Sequence, residues 1–436
     1  MNISDLSSPG KRFVPGVLLL SLLSACGGGG SSGSYTIGGT ISGLNTAGLV
    51  LANGTDTKSV ASDATRFAFD TPASSYAVTV KSHPNGQTCV VSQGSGTASA
   101  DVTSVLVSCR GYVAYVTNTG SSQLASFSVG REGALSALSG GVLSTSYPPT
   151  ALALSPDGSR AFTVHQDDKN ISTFTLSSTG APTLSARTAA VSESRGLAVG
   201  SSGSALYVAN YTDKTLSQFA VASSGSLSAL SPATVDTQST PYAVALSPNG
   251  QFAYVANAGS NTLTPYTVGS GGALTALSSG SVSTTAVGSN PLAMDIGPGS
   301  NTLYVVLADS AKVAQFNIGS TGALSAMSPA SVATGNTPRG IRVSPNGQCA
   351  YVSNRGDGTV SAYVVTSSGL TAAASGPVSA GSLPTGLAIS PDSLYLYVTN
   401  TGSASLSQYA IQAGCGLTAL GSVSSGGLGP TSIDVR

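Results

Sequence analysis

Tyr115-Val116-Thr117-Asn118 is the stretch that decides the fold, because it returns six times along the chain. Its counterparts are Phe162-Thr163-Val164-His165, Tyr207-Val208-Ala209-Asn210, Tyr254-Val255-Ala256-Asn257, Tyr304-Val305-Val306-Leu307, Tyr351-Val352-Ser353-Asn354 and Tyr397-Val398-Thr399-Asn400. Aromatic residues at 115, 162, 207, 254, 304, 351 and 397 recur at a near-constant spacing, which is the signature of a repeat architecture. Each unit adds a strand such as Leu216-Ser217-Gln218-Phe219, a Gly-x-Leu turn and strand such as Gly272-Ala273-Leu274, and a proline-led strand ending in Ser-Pro-(Asp/Asn)-Gly, as from Pro241 to Gly250. Four short strands per unit, with no helical stretch between them, make one propeller blade. Seven units predict an all-β, seven-bladed propeller over residues 111–436.

The first Tyr-Val strand has no proline-led strand before it. The missing partner is found at the other end, where Pro430-Thr431-Ser432-Ile433-Asp434-Val435 fits the innermost-strand pattern. Pairing of this strand with residues 112–117 would close the ring and leave no open sheet edge.

Ahead of the propeller lie three further segments. Residues 1–25 read as a signal peptide: Lys11 and Arg12 precede an apolar run from Phe13 to Leu23, too short to span a bilayer. The run ends in Leu23-Ser24-Ala25-Cys26, which resembles a bacterial lipobox, with Cys26 as the acceptor of the acyl chains that hold the protein on a membrane. A Gly/Ser-rich tether follows over residues 26–34. Residues 35–110 carry half a dozen short β-type segments separated by Gly, Asn and Pro-Asn-Gly turns, which suggests a small immunoglobulin-like sandwich acting as a spacer. Cys89 and Cys109 fall on two of these segments and are expected to form a disulfide in an oxidising compartment. For Cys349 and Cys415 the pattern leaves pairing open: both sit near turns on one face of adjacent blades, but at different radial positions.

Composition narrows the function. Charged residues make up only 8% of the chain, with 17 basic and 17 acidic side chains, so no electrostatic footprint for nucleic acid exists. Trp is absent, which removes the flat indole platforms on which sugars stack. Only two His and two Glu (Glu132, Glu193) occur, which restricts acid–base chemistry. There is no His pair or Cys-x-x-Cys at metal-ligand spacing, and nothing calls for a cofactor or a metal.

Antiparallel pairing puts the ends of the Tyr-Val strands and the starts of the innermost strands on one face, so polar residues there form a mouth. Arg195 and Arg339 begin innermost strands, and Arg355 follows Asn354 at the same mouth. Converging guanidiniums are how a pocket holds a carboxylate or phosphate. His165 replaces Asn in the strand-end series and is the candidate general acid–base; the plainer reading makes it a polar stand-in for that Asn.

The Tyr-Val-Thr-Asn units and Leu-Ser-Pro-Asp-Gly hairpins resemble the seven-bladed lactonase family, which includes propeller-type 6-phosphogluconolactonases, carboxymuconate cyclases and other YVTN propellers. That resemblance covers residues 111–436. It implies a site of His, Arg and Glu at the mouth, and its Pro-Arg-Gly strand start carries over onto Arg339. Where active relatives end a strand in Asn-Glu, this chain has Asn354-Arg355. The leading expectation is therefore a lipid-anchored, extracytoplasmic propeller, periplasmic or surface-exposed, that binds a small anion or scaffolds an envelope protein. A lactone hydrolase or cycloisomerase acting through His165 and Arg339, and a structural or adhesive surface protein, are the alternatives.

Overall fold

The computed structural model describes residues 33–165, 168–190 and 193–436. The segment expected to be a signal peptide and Cys26 lie outside the described residues.

Alternation of buried and exposed positions builds the N-terminal unit. One four-stranded sheet runs in the order Arg66–Ala68, Ile37–Ser42, Val102–Gly111, Gln87–Ser92. The other runs Asp56–Ser59, Val50–Asn53, Ser75–Ser82, Ser95–Thr97. Their inner faces share one core that includes Ile37, Leu51, Phe67, Val105 and Val107. Cys89 stands directly opposite Cys109 in an antiparallel pair, and the two are joined as expected. Strand Ile37–Ser42 runs parallel to Val102–Gly111. The chain therefore comes in at one end of the sandwich and leaves at the other.

From Gly111 the backbone passes straight into the propeller, whose seven sheets we number as blades in chain order. Blade 1 takes residues 113–144 and closes with Pro430–Val435, which pairs antiparallel with Val113–Asn118 as the sequence predicts. Blades 2 to 7 span residues 149–189, 194–236, 241–283, 291–333, 338–379 and 384–424. In blades 4 and 6 the outer strand is split in two.

The Tyr-Val strands carry the packing. Val113–Asn118, Ala205–Asn210, Phe252–Asn257 and Cys349–Asn354 are buried at every position, because the second strand of a blade is covered on both faces by its neighbours. A buried phenol must place its hydroxyl on an acceptor. Here that acceptor lies in the next blade. Tyr115 donates to Gly180 O, Tyr207 to Gly272 O and Tyr254 to Gly322 O at 2.9, 2.6 and 2.9 Å, and Tyr397 reaches across the ring joint to Gly133 O at 2.8 Å. At Gly133, with φ of 81°, an added Cβ would fall within 2.1 Å of the Tyr395 ring, so only glycine fits that turn. Between blades 6 and 7 the acceptor is Cys415 O instead, 3.2 Å from Tyr351. Cys415 is also bonded to Cys349, which settles the pairing that the sequence left open and staples two adjacent blades. The two cysteines meet because Cys415 ends a short turn lying against the first residue of strand Cys349–Asn354.

Candidate functional site

Each innermost strand begins on what we term the upper face, and its second residue stands at the rim of the central channel. Reading round from blade 2, these residues are Thr150, Arg195, Tyr242, Leu292, Arg339, Thr385 and, in blade 1, Thr431. They open onto a cavity of about 570 Å³. Its lining is polarised. Arg195, Tyr242, Arg339, Arg342 and Arg355, from blades 3, 4 and 6, make a cationic and aromatic side. Hydroxyls of Thr119, Thr150, Thr385, Thr401, Thr431 and Ser432, from blades 7, 1 and 2, make the other, and Leu292 and Met294 of blade 5 add an apolar patch.

The cationic side is held by stacking. The Arg195 guanidinium lies 5.1 Å from the Tyr211 ring centre, Tyr211 meets Tyr242 edge-on at 6.4 Å, and Arg339 lies 5.0 Å from the Tyr242 centre while donating to its hydroxyl. Cation–π contacts of this kind are worth about 0.5–1 kcal/mol at exposed sites and more when desolvated. Arg195 also pairs with Glu193 at 2.5 Å. A carboxylate is thus present beside the mouth, two residues before an arginine. It lies at the entry to blade 3 and not after Asn354, where the family resemblance would put it.

Below the rim, Arg342 lies in the field of two carboxylates, Asp295 and Asp434. Asp295 accepts from the backbone N–H groups of Ile296 (3.0 Å) and of Val343 in the next blade (2.8 Å). Asp434 does the same with Val435 (3.0 Å) and Leu154 (3.2 Å). Burial pushes both carboxyls above their ordinary range, and Arg342 pulls them back. These aspartates tie neighbouring inner strands together, and their charge offsets that of Arg342.

His165 lies elsewhere. It does not line the cavity; it is fully buried, 0% exposed, at the end of strand Arg160–His165. Its Nδ1 donates to Tyr147 O (3.1 Å), which leaves Nε2 to accept from the Ser172 hydroxyl (2.9 Å). Asn210, Asn354 and Asn400 make the matching contact, seven residues on, with Ser217, Ser361 and Ser407 at 2.8, 2.9 and 2.9 Å. His165 therefore fills the asparagine's structural place. Burial lowers its pKa to about 4, with the Arg187 charge adding to the effect and the Tyr147 carbonyl opposing it. At neutral pH it is an uncharged imidazole with both nitrogens engaged, and this placement corrects the expectation that it stands open at the mouth. The asparagines of the series are likewise buried, not open rim groups.

Of the residues singled out in the sequence, the structure brings Arg195, Arg339 and Arg355 into one cavity and leaves His165 out. Tyr211 and Tyr242 were missed. The second position of the proline-led strand was the available signal, since it varies from blade to blade within an otherwise regular unit.

Comparison with known proteins agrees with this architecture. The chain matches the family model described as "Lactonase, 7-bladed beta-propeller" over residues 110–435, with an overlapping match over 85–194. The protein belongs to that family of seven-bladed lactonase propellers. Among solved structures it is similar to a putative 6-phosphogluconolactonase from Bacteroides fragilis, at 20% identity and a TM-score of 0.65, covering 74% of this chain and 98% of that one. A periplasmic gluconolactonase from Pseudomonas aeruginosa gives 20% identity and a TM-score of 0.62, with 74% and 98% covered. Identities this low speak to the fold. No curated protein matches the chain.

Proposed function

We propose that the upper mouth binds a small anionic molecule of the sugar-acid or lactone type, and that the protein does so outside the cytoplasm, held on a membrane through Cys26. The observation that carries this reading is the concentration of Arg195, Arg339, Arg342 and Arg355 around one cavity in a chain with only 8% charged residues. Asp295 and Asp434 offset Arg342, and Glu193 pairs with Arg195, so Arg339 and Arg355 are the guanidiniums left to meet an incoming carboxylate. The threonine arc opposite supplies hydroxyls to a polyhydroxylated ligand. The two disulfides suit an oxidising compartment.

Titration calorimetry with D-gluconate and glucono-δ-lactone tests the binding. Arg339→Ala is expected to weaken it by about 1.5–3 kcal/mol, the worth of a hydrogen bond to a charged group. Absence of binding, or binding indifferent to Arg339, would remove this reading. For the anchor, Cys26→Ser is expected to leave the protein unprocessed or lost from the membrane fraction.

Ring opening of a lactone at this mouth is the second reading, favoured by the Glu193–Arg195 pair. Arg339 and the Tyr242 hydroxyl would polarise the lactone carbonyl, and Glu193 would take the proton of the attacking water and return it to the ring oxygen as the acyl C–O bond breaks. A pH-stat assay decides it. Hydrolysis should fall by about 10²–10⁴-fold in Glu193→Gln and persist in His165→Asn. Equal rates in Glu193→Gln and the parent would leave a binding protein.

A further inference from the structure

The mouth occupies one face of the propeller and the sandwich the other. Strand Val102–Gly111 leads directly into strand Val113–Asn118, which ends on the upper face at Asn118, so the chain comes into the ring from below. The sandwich loops seat on that lower face. Gly86 N–H donates to Asp392 Oδ2 at 3.2 Å in the blade 7 hairpin, Gly86 O accepts from Tyr112 N at 3.1 Å, and Arg131 of blade 1 donates to Asn45 O. Strand Ile37–Ser42 runs parallel to Val102–Gly111, so its first residue lies at the end of the sandwich farthest from the propeller. The bridge between Tyr35 and Ala73 and the bond from Val102 N to Thr36 O fix the chain at that far end.

We propose that the sandwich is a stand-off, which holds the propeller with its mouth turned away from the surface to which the N-terminal end is attached. The cavity then takes its ligand from the surrounding medium and not from that surface. This rests on the reading that residues ahead of 33 are the attachment, and it follows from strand direction together with the seating of the sandwich loops on the lower face. A ten-residue strand rising about 3.3 Å per residue separates attachment from lower face by roughly 30 Å, and a six-residue blade strand adds about 20 Å more.

The chain has no Trp, and four of its five cysteines are bonded in pairs, leaving Cys26 for chemical coupling. The full chain coupled through Cys26 to a maleimide lipid in dansyl-labelled vesicles, with one Trp introduced at a time, reads the orientation by energy transfer. Ser74→Trp marks the far end of the sandwich, Leu394→Trp the lower face and Leu428→Trp the upper face; Leu394 and Leu428 are 38% and 63% exposed. Tyr147→Trp, also on the upper face and 41% exposed, repeats the upper measurement if Leu428→Trp misfolds. Transfer is expected to fall several-fold from Ser74 to Leu394 and to vanish at Leu428. Upper-face transfer equal to or above that at Leu394, or equal transfer at all three positions, would overturn the proposal. Chemical coupling does not depend on native lipidation, so a failure of the Cys26→Ser fractionation test leaves this measurement standing.

Discussion

Two rings of residues lie side by side on the upper face and behave in opposite ways. The ends of the Tyr-Val strands repeat, with Asn in five of seven blades, and the side chains of Asn210, Asn354 and Asn400 turn inward to serine hydroxyls of the same blade. The second residues of the innermost strands vary among Thr, Arg, Tyr and Leu, and they open onto the cavity. His165 breaks the first ring and Arg195, Tyr242 and Arg339 break the second. Only the second kind of break brings new side chains to the cavity, because a departure at a buried position must satisfy the contacts of the residue it replaces. A departure at an open position has no such debt. In a repeat protein, irregularity marks a site only where the irregular side chain meets solvent.

Four changes test how far scaffold and mouth are separable. The greatest effect is expected from deleting Pro430 to Arg436, which uncovers the inner edge of Val113–Asn118. Cooperative unfolding should be lost or the protein should aggregate, and a melting curve matching the parent's would show that closure is dispensable. Next comes the staple between blades 6 and 7. Cys349→Ser should lower stability by about 2–4 kcal/mol, measured by urea unfolding, with anion affinity at the mouth unchanged.

His165 makes a subtler test. Its pKa drops from 6.5 when unfolded to about 4 when folded, so the unfolded chain binds the extra proton first as pH falls. The stability tied to the neutral imidazole is whole above pH 6.5 and is lost progressively down to about pH 4. The loss should be on the order of 3 kcal/mol. His165→Asn should retain stability at pH 7 and flatten that decline. An unchanged pH profile in thermal melts would mean that the imidazole is not buried as described. The smallest effect is expected at the mouth: Arg339→Ala should lower stability by about 0.5–1 kcal/mol, the worth of its cation–π contact with Tyr242. A larger loss would place Arg339 in the scaffold.

The sequence makes the propeller legible because each blade buries its second strand on both faces, which forces an apolar run at every repeat. Ring closure is equally visible, since a lone proline-led strand at 430–435 has one possible partner. The edge strands Asp56–Ser59 and Ser95–Thr97 of the sandwich escape notice, being short and without a buried apolar side chain. At the site, the arginines stand out by rarity. Tyr211 and Tyr242 do not, because most tyrosines in this chain are core anchors and ring stacking across blades has no linear signature. His165 misleads for the reverse reason: it is rare, but it fills a strand-end position that is buried in every blade.

Blade 1 is assembled from both ends of the chain, and that has a consequence for biosynthesis. A ribosome adding about 5–20 residues per second needs on the order of 15–60 s between the first Tyr-Val strand and the strand that covers it. Throughout that interval the sandwich can be complete, with its disulfide partners only 20 residues apart, while the strand beside it keeps a bare hydrogen-bonding edge. The nascent molecule is therefore a finished module carrying an adhesive flank. The edge of residues 113–118 stays open to other strands until residues 430–435 arrive to cover it.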